Sequence, residues 1–223
     1  IRGKDCLHLQ CHFGLSTLSM LRLGARSATG VDFAPAAIEK ARKLAGQTGL
    51  SAKFVCADVL DLPSELHSRF DVVFASYGVL CWLPDLLAWA RNAAMCLREG
   101  GTLVLVEIHP VAHILYGETP EKLRHCYDAF KEDGHIREEC DGSYAVGDVR
   151  LRNRAFNEWA FTFSELFNAF RAASVYLERF EEYPFCCYRH FPFLEEASSG
   201  HYAMPKGYPS LPLSFGMLAR KNT

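Results

Sequence analysis

The chain has no run of about 18 apolar residues, the length a helix needs to span a bilayer, and no internal repeat or low-complexity tract. Neither sign of charge is in excess: 24 Lys and Arg against 26 Asp and Glu leave a net charge of -2. That balance offers no basic footprint for nucleic acid, so a small or neutral partner is expected. No secretion signal precedes the nine cysteines, an odd number, and Cys6, Cys56 and Cys96 fall inside segments that read as core. Buried thiols in a reduced, cytoplasmic protein are therefore expected rather than disulfides. Paired CxxC spacing is missing too. Cys186, Cys187 and His190 lie close together and Cys11 adjoins His12, but neither group has the spacing of a closed zinc site, and no metal is expected. The chain opens on Ile1 rather than Met and reaches its first strand within five residues, which predicts an upstream segment and with it a helix over the ligand.

What is present is a globular composition, 49% hydrophobic and 22% charged over 223 residues, enough for one core of ordinary size. Its organising stretch is residues 5–18, DCLHLQCHFGLSTL. Residues 5–9 read as a short buried strand and 10–14 as a tight turn, after which Leu15, Leu18 and Leu21 recur at helical spacing up to Gly24. A strand that turns through a glycine into a helix aims unpaired N–H groups and the positive end of the helix dipole at one point outside the sheet.

The alternation continues. Residues 27–33 form a strand that passes through Asp32, and 35–44 a helix opened by Pro35 with Ala37, Ile38, Ala41 and Leu44 on one face. Residues 52–57 form a strand followed by Asp58, 70–75 a strand, 84–97 a helix stopped by Gly100 and Gly101, and 102–108 a strand that is apolar except for Glu107. Strands apolar on both faces that alternate with helices predict an α/β, doubly wound parallel sheet, with its ligand beyond the carboxyl ends of the strands. Residues 111–156 read as an insertion with a short helix around 120–130, 162–173 as a helix, 174–180 as a strand, 183–212 as an irregular excursion, and 213–220 as a last strand. The whole is expected to be a single domain, 1–223, whose insertion and excursion form a substrate lid.

Four features fall at the carboxyl ends of successive strands: the turn 10–14; Asp32, suited to accept from both hydroxyls of a ribose; Asp58 in CADVLDLP, suited to an exocyclic amine; and Ser76-Tyr77-Gly78. A lone Asp after a strand also serves as a helix cap; the register of all four argues for a site. On these residues, and on GVDFAPAAIEKAR, FDVVFASYGVLCWL and LREGGTLVLVEIHP, residues 5–110 resemble the core of the class I S-adenosylmethionine-dependent methyltransferases. The similarity is to the small-molecule type grouped with ubiquinone and menaquinone biosynthesis methyltransferases. FTFSELFNAFRAASVYLERFEEYPF and PLSFGMLARK resemble the family's closing helix and strands. The resemblance implies a Rossmann-like sheet of seven strands, the last antiparallel, and S-adenosyl-L-methionine as cofactor. It places Gln10, Cys11, His12 and Gly14 under the methionine end, Asp32 on the ribose, Phe33 against the adenine, Asp58 and Val59 at its amine edge, and Ser76 and Tyr77 beside the sulfonium methyl. The family's loop carries three glycines after an acidic residue, whereas here His8 stands for the acid and Gln10 and His12 for two glycines. HLQCHFG resembles a recurrent form of this loop in a subgroup of the family and is read as a working variant.

Methyl transfer from a sulfonium needs donor and acceptor held about 3 Å apart and away from water, and a base where the acceptor starts protonated. Candidates at the correct edge are Tyr77, Glu107 and His109, with His113 and His12 behind them; a loop cap is the competing role for Glu107 and a loop-fixing hydrogen bond for His109. No Asn-Pro-Pro-aromatic or Asp-Pro-Pro-aromatic sequence and no Pro-Cys nucleophile follows the fourth strand, which argues against nucleic acid as acceptor. Tyr116, Tyr127, Tyr144, Phe156 and Trp159 are candidates for a lid over a partly apolar small acceptor, or for packing on the sheet. No membrane partner is expected, and the reading allows a homodimer. Two other readings compete: a regulatory protein that keeps the cofactor pocket without turnover, and a nicotinamide oxidoreductase, which predicts a G-x-G-x-x-G turn that this chain lacks.

Overall fold

The computed structural model describes residues 1–130, 135–139, 142–143, 146–150 and 155–222. Seven strands form the main sheet: β1 (Asp5–Leu9), β2 (Ser27–Asp32), β3 (Lys53–Cys56), β4 (Phe70–Ser76), β5 (Leu97–Ile108), β6 (Val175–Tyr183) and β7 (Ser214–Lys221). Their spatial order is β6-β7-β5-β4-β1-β2-β3. The pairs β1–β2, β2–β3, β1–β4 and β4–β5 are parallel, while β7 runs antiparallel to both β5 and β6. The expected Rossmann-like architecture is therefore present, and the order reverses between β1 and β4, where such sheets open a crevice.

Side-chain alternation along β1 divides the core. Leu7 and Leu9 join Val73, Ala75, Leu103 and Leu105 on one face, and Cys6 joins Met20 and Ala28 on the other. The helices α1 (Leu15–Arg22) and α2 (Pro35–Thr48) cover the second face, with Leu18, Ile38, Ala41 and Ala45 packed around Phe54 and Cys11. The helices α3 (Leu86–Cys96) and α4 (Phe163–Ala172) cover the first, with Trp89 stacked on Phe170 at 6.2 Å between ring centroids. Each helix of that second pair starts on a side chain that the sequence supplies. Asp85 accepts from the Ala88 N–H at 2.9 Å, and Thr162 with Glu165 forms a reciprocal capping box.

Two sequence expectations are corrected. Around 120–130 the chain makes only a single 3-10 turn, Pro120–Lys122, and then a two-residue strand, Arg124–His125, paired with Leu115–Tyr116. The Asp128 carboxylate accepts from the Phe130 N–H at 2.9 Å, a local bond that competes with helix. The excursion 183–212 is not irregular throughout, since Phe185–Cys186, His201–Ala203 and Glu195–Ser198 form a small antiparallel sheet. Cys186, Phe191, Leu194 and Leu213 bury themselves against Ile108, Ala112 and Leu115, a separate small core at the carboxyl end of β5. Tyr144 lies outside the described residues.

Gly14 closes the first turn in the left-handed region at φ 76°, as the N-cap of α1. A Cβ there would meet the Phe54 ring at 2.4 Å. We predict that Gly14→Ala costs about 2–4 kcal/mol, from backbone strain plus overpacking of a full core. Urea denaturation measures it, and an unchanged midpoint would contradict the assignment.

Candidate functional site

The reversal in strand order opens a cavity of about 730 Å³, within the range of small-ligand sites. It is walled by the four strand-end corners: Gln10, Cys11, His12 and Phe13 after β1; Asp32, Phe33 and Ala34 after β2; Asp58, Val59 and Leu60 after β3; Ser76, Tyr77, Gly78 and Val79 after β4. Trp82, Leu83 and Pro84 complete the wall. Of the residues singled out from sequence, Gln10, Cys11, His12, Asp32, Phe33, Asp58, Val59, Ser76 and Tyr77 all line this one cavity.

The backbone at these corners is strained. Gln10, His12 and Tyr77 adopt φ values of 51°, 50° and 38°, a region that side chains larger than glycine enter at a cost. The turn thus keeps a glycine-like path without glycines, and identifiable bonds hold it there. The Gln10 amide donates to the Val79 carbonyl at 2.8 Å, tying the first corner to the fourth. Asp32 accepts from the His12 N–H at 2.8 Å with one oxygen and from the Ala34 N–H at 3.0 Å with the other, tying the first corner to the start of α2. The fourth corner is pinned by Glu107, which is buried and accepts from the N–H groups of Gly78, Val79 at 2.7 Å, Leu80 at 3.0 Å and Ile108 at 2.6 Å.

Three sequence candidates accordingly sit elsewhere than expected. Gly14 is not in the cavity wall; the Phe54 ring occupies the space beside it. Glu107 is also outside the wall, with its oxygens committed to backbone, so its place is that of a loop anchor and not of a base facing ligand. His109 is buried off the cavity. Its Nδ1 accepts from the Val111 N–H at 3.1 Å and its Nε2 meets Glu182 at 2.7 Å, so it fixes the turn after β5. Tyr77 does line the cavity, but burial and the neighbouring Cys186 and Cys187 thiols push its phenol up to about 12. At neutral pH it is a hydrogen-bond donor and not a base.

His8 was singled out in the sequence only as the residue in place of the family's acid. It stands in the cavity wall where an acid was expected, 4% exposed, with Nδ1 2.9 Å from the Thr17 hydroxyl and its ring 5.2 Å from Phe74. Burial lowers its pKa to about 4, so it is neutral. Trp82, half-exposed on the short 3-10 turn Leu80–Trp82, was not singled out; a Trp shortly after the fourth strand was the available signal.

Comparison with known proteins points in one direction. Residues 6–101 match the family described as a methyltransferase domain. Over residues 6–101 the chain is similar to methyltransferase domains. It is 35% identical over 103 residues to a ubiquinone biosynthesis O-methyltransferase of Xanthomonas campestris pv. campestris (strain B100), covering 46% of this chain and 42% of that protein. It is 34% identical over 143 residues to a ribosomal protein L11 methyltransferase of Xylella fastidiosa (strain 9a5c), covering 60% and 42%. The chain thus spans less than half the length of these two relatives. A solved S-adenosylmethionine-dependent methyltransferase from Methanosarcina mazei superposes over 100% of this chain and 94% of its own, with a TM-score of 0.66 at 20% identity, and shares the fold.

The residues present fit S-adenosylmethionine, the cofactor named for the similar solved methyltransferase. Gln10 Oε1 is buried without a partner, and a methionine ammonium is a donor that suits it. Asp32 keeps unused lone pairs beside its two N–H bonds, and Phe33, 74% exposed, offers a bare ring at the rim. No lysine or arginine is among the described residues of the wall, and Asp32 and Asp58 give it the sign that a cationic ligand requires.

Two expectations follow. Asp32→Ala weakens S-adenosylmethionine binding more than tenfold by calorimetry, because hydroxyl acceptors are lost and the His12 N–H is orphaned; unchanged affinity would place the ribose elsewhere. Stability falls as pH drops from about 6.5 toward 4, since the unfolded chain takes up protons that native His8 refuses. In His8→Phe that segment of the pH–stability curve flattens; an identical slope would show that His8 does not carry it.

Proposed function

We propose that this protein is an S-adenosylmethionine-dependent methyltransferase that acts on a small-molecule acceptor. The observation that carries the reading is the convergence of four strand-end corners on one cavity whose polar groups match an adenosyl sulfonium. When bound, S-adenosylmethionine supplies an already activated methyl group. The chain then has to bind, align and dry the two partners. Gln10, Cys11 and His12 support the methionine end, Asp32 holds the ribose, Phe33 covers the adenine, and Asp58 and Val59 meet its amine edge. Ser76 and Tyr77 face the methyl group, Tyr77 as a donor that orients the acceptor.

The absence of net positive charge and of nucleobase-methylating sequences after β4 supports a small acceptor over nucleic acid. The L11 methyltransferase relatives make a protein acceptor the alternative that the assay has to separate. We propose the cytoplasm as its setting, where Cys6, Cys11, Cys81, Cys96 and Cys186 persist as buried thiols. No helix among the described residues is long and apolar enough to cross a membrane.

The test incubates the protein with methyl-labelled S-adenosylmethionine and a cell extract split into metabolite and macromolecule fractions. Label is expected in the metabolite fraction. Label confined to macromolecules would overturn the small-molecule acceptor, and tight binding without any transfer would favour a regulatory protein. Tyr77→Phe is expected to lower turnover about tenfold or more while cofactor affinity changes little; unaffected turnover would leave Tyr77 as wall only.

A further inference from the structure

The turn that follows β5 is held by two imidazoles whose hydrogen bonds assign their protons. His109 caps the single helical turn Pro110–His113, its Nδ1 accepting from the Val111 N–H at 3.1 Å. That nitrogen therefore carries no proton, and Nε2 carries the hydrogen that it donates to Glu182 Oε1 at 2.7 Å. His190 is fixed in the same form from the other side: its Nε2 donates to the Ala112 carbonyl at 3.1 Å, and its Nδ1 accepts from the Tyr188 hydroxyl at 2.9 Å. Protonation treats the two rings differently. The Tyr188 hydroxyl can rotate and accept from a charged His190, whereas a charged His109 would aim a second N–H at that of Val111, and the cap would be lost.

The groups packed around His109 set its two forms against each other. Its side chain is 5% exposed, and the rings of Phe163 at the start of α4 and Phe215 on β7 lie 5.0 and 6.4 Å from it, so burial favours the neutral ring. From β6 the Glu182 carboxylate, itself 51% exposed, favours the charged one. Burial prevails, and His109 is held below the usual histidine range. At the far end of the turn His113 is held low as well, by burial and then by the neighbouring His190, with Glu158 Oε2 3.9 Å from its Nε2.

What the turn carries is the insertion. Ile114, next in the chain, accepts from the Cys126 N–H at 2.9 Å, and Leu115–Tyr116 pairs with Arg124–His125. The insertion returns as the strand Ala155–Trp159, on which the Phe156 ring lies 5.7 Å from Trp82 in the cavity wall. Ala112 anchors the turn from within, buried in the small core with Ile108, Leu115 and Phe191.

We infer that His109 is a proton-operated latch at the root of the insertion: neutral, it caps the turn and holds residues 110–126 against the small core; charged, it pairs with Glu182 as an ion and lets that segment open. The latch acts whatever reaction the cavity performs. Its closed form binds one proton fewer than its open form, so opening grows as pH falls below about 6.5, the ordinary histidine value.

Amide hydrogen exchange of the whole chain, read residue by residue by NMR between about pH 7.5 and 5, tests the latch once each rate is divided by that of an unstructured peptide at the same pH. Protection of the Val111, His113 and Cys126 amides is expected to fall by up to about tenfold per pH unit, in step with the His109 ring resonances, while β1 and β4 stay protected. His109→Asn keeps a side-chain acceptor at the cap and has no proton to gain, so protection is expected to stay level over this range. Glu182→Gln is expected to move the midpoint to lower pH, because the carboxylate that favours the charged ring is gone. The inference fails if those amides keep full protection at the acid end, if they lose it only together with β1 and β4, or if His109 is already charged at neutral pH. It fails equally if His109→Asn follows the parent's pH curve or if Glu182→Gln leaves the midpoint in place.

Discussion

The cavity depends first on a buried carboxylate that never faces it. Glu107 is the one charged residue in the stretch 102–108 of β5, and it accepts from four backbone N–H groups, of Gly78, Val79, Leu80 and Ile108. Burying a carboxylate in a sheet core is costly unless its oxygens are satisfied, and N–H groups at a strand end are costly unless they find acceptors. Each deficit meets the other here. The consequence is a rigid fourth corner, held so firmly that Tyr77 persists at φ 38°. Asp32 does the same for the first corner through the His12 N–H. The geometry of these corners is thus built on two carboxyl anchors rather than on glycines.

That trade explains what the loop gained. A glycine-rich turn is permissive and leaves its backbone free to approach a ligand, whereas Gln10 and His12 bring side chains into the same space. The Gln10 amide bridges to Val79, and its unpartnered oxygen remains as a polar group of the cavity wall. His8, neutral and hydrogen-bonded to Thr17, replaces a charge by a packed ring against Phe74. The acid functions of the wall then rest on Asp32 and Asp58.

Most of the sheet was legible because hydrophobic alternation reports local geometry directly. Every strand from β1 to β5, and helices α1 to α3, lies within a few residues of its sequence reading, and nine of the named site residues share one cavity. What was not legible depended on long-range partners. Glu107 acquires its role from N–H groups 27 to 29 residues earlier, and His109 from Glu182, 73 residues later. Gly14 was read as ligand-facing because its partner, the Phe54 ring, is remote in sequence. The three short strands within 183–212 were missed because two- to four-residue strands carry too little pattern to separate from loop.

The corners after β1, β2, β3 and β4 line one cavity and are expected to answer a ligand together. Hydrogen–deuterium exchange with and without S-adenosylhomocysteine tests it directly. Slowed exchange is expected together in segments 10–14, 32–34, 58–60 and 76–79. Protection confined to one or two of these segments, or appearing instead at an unrelated face, would contradict it.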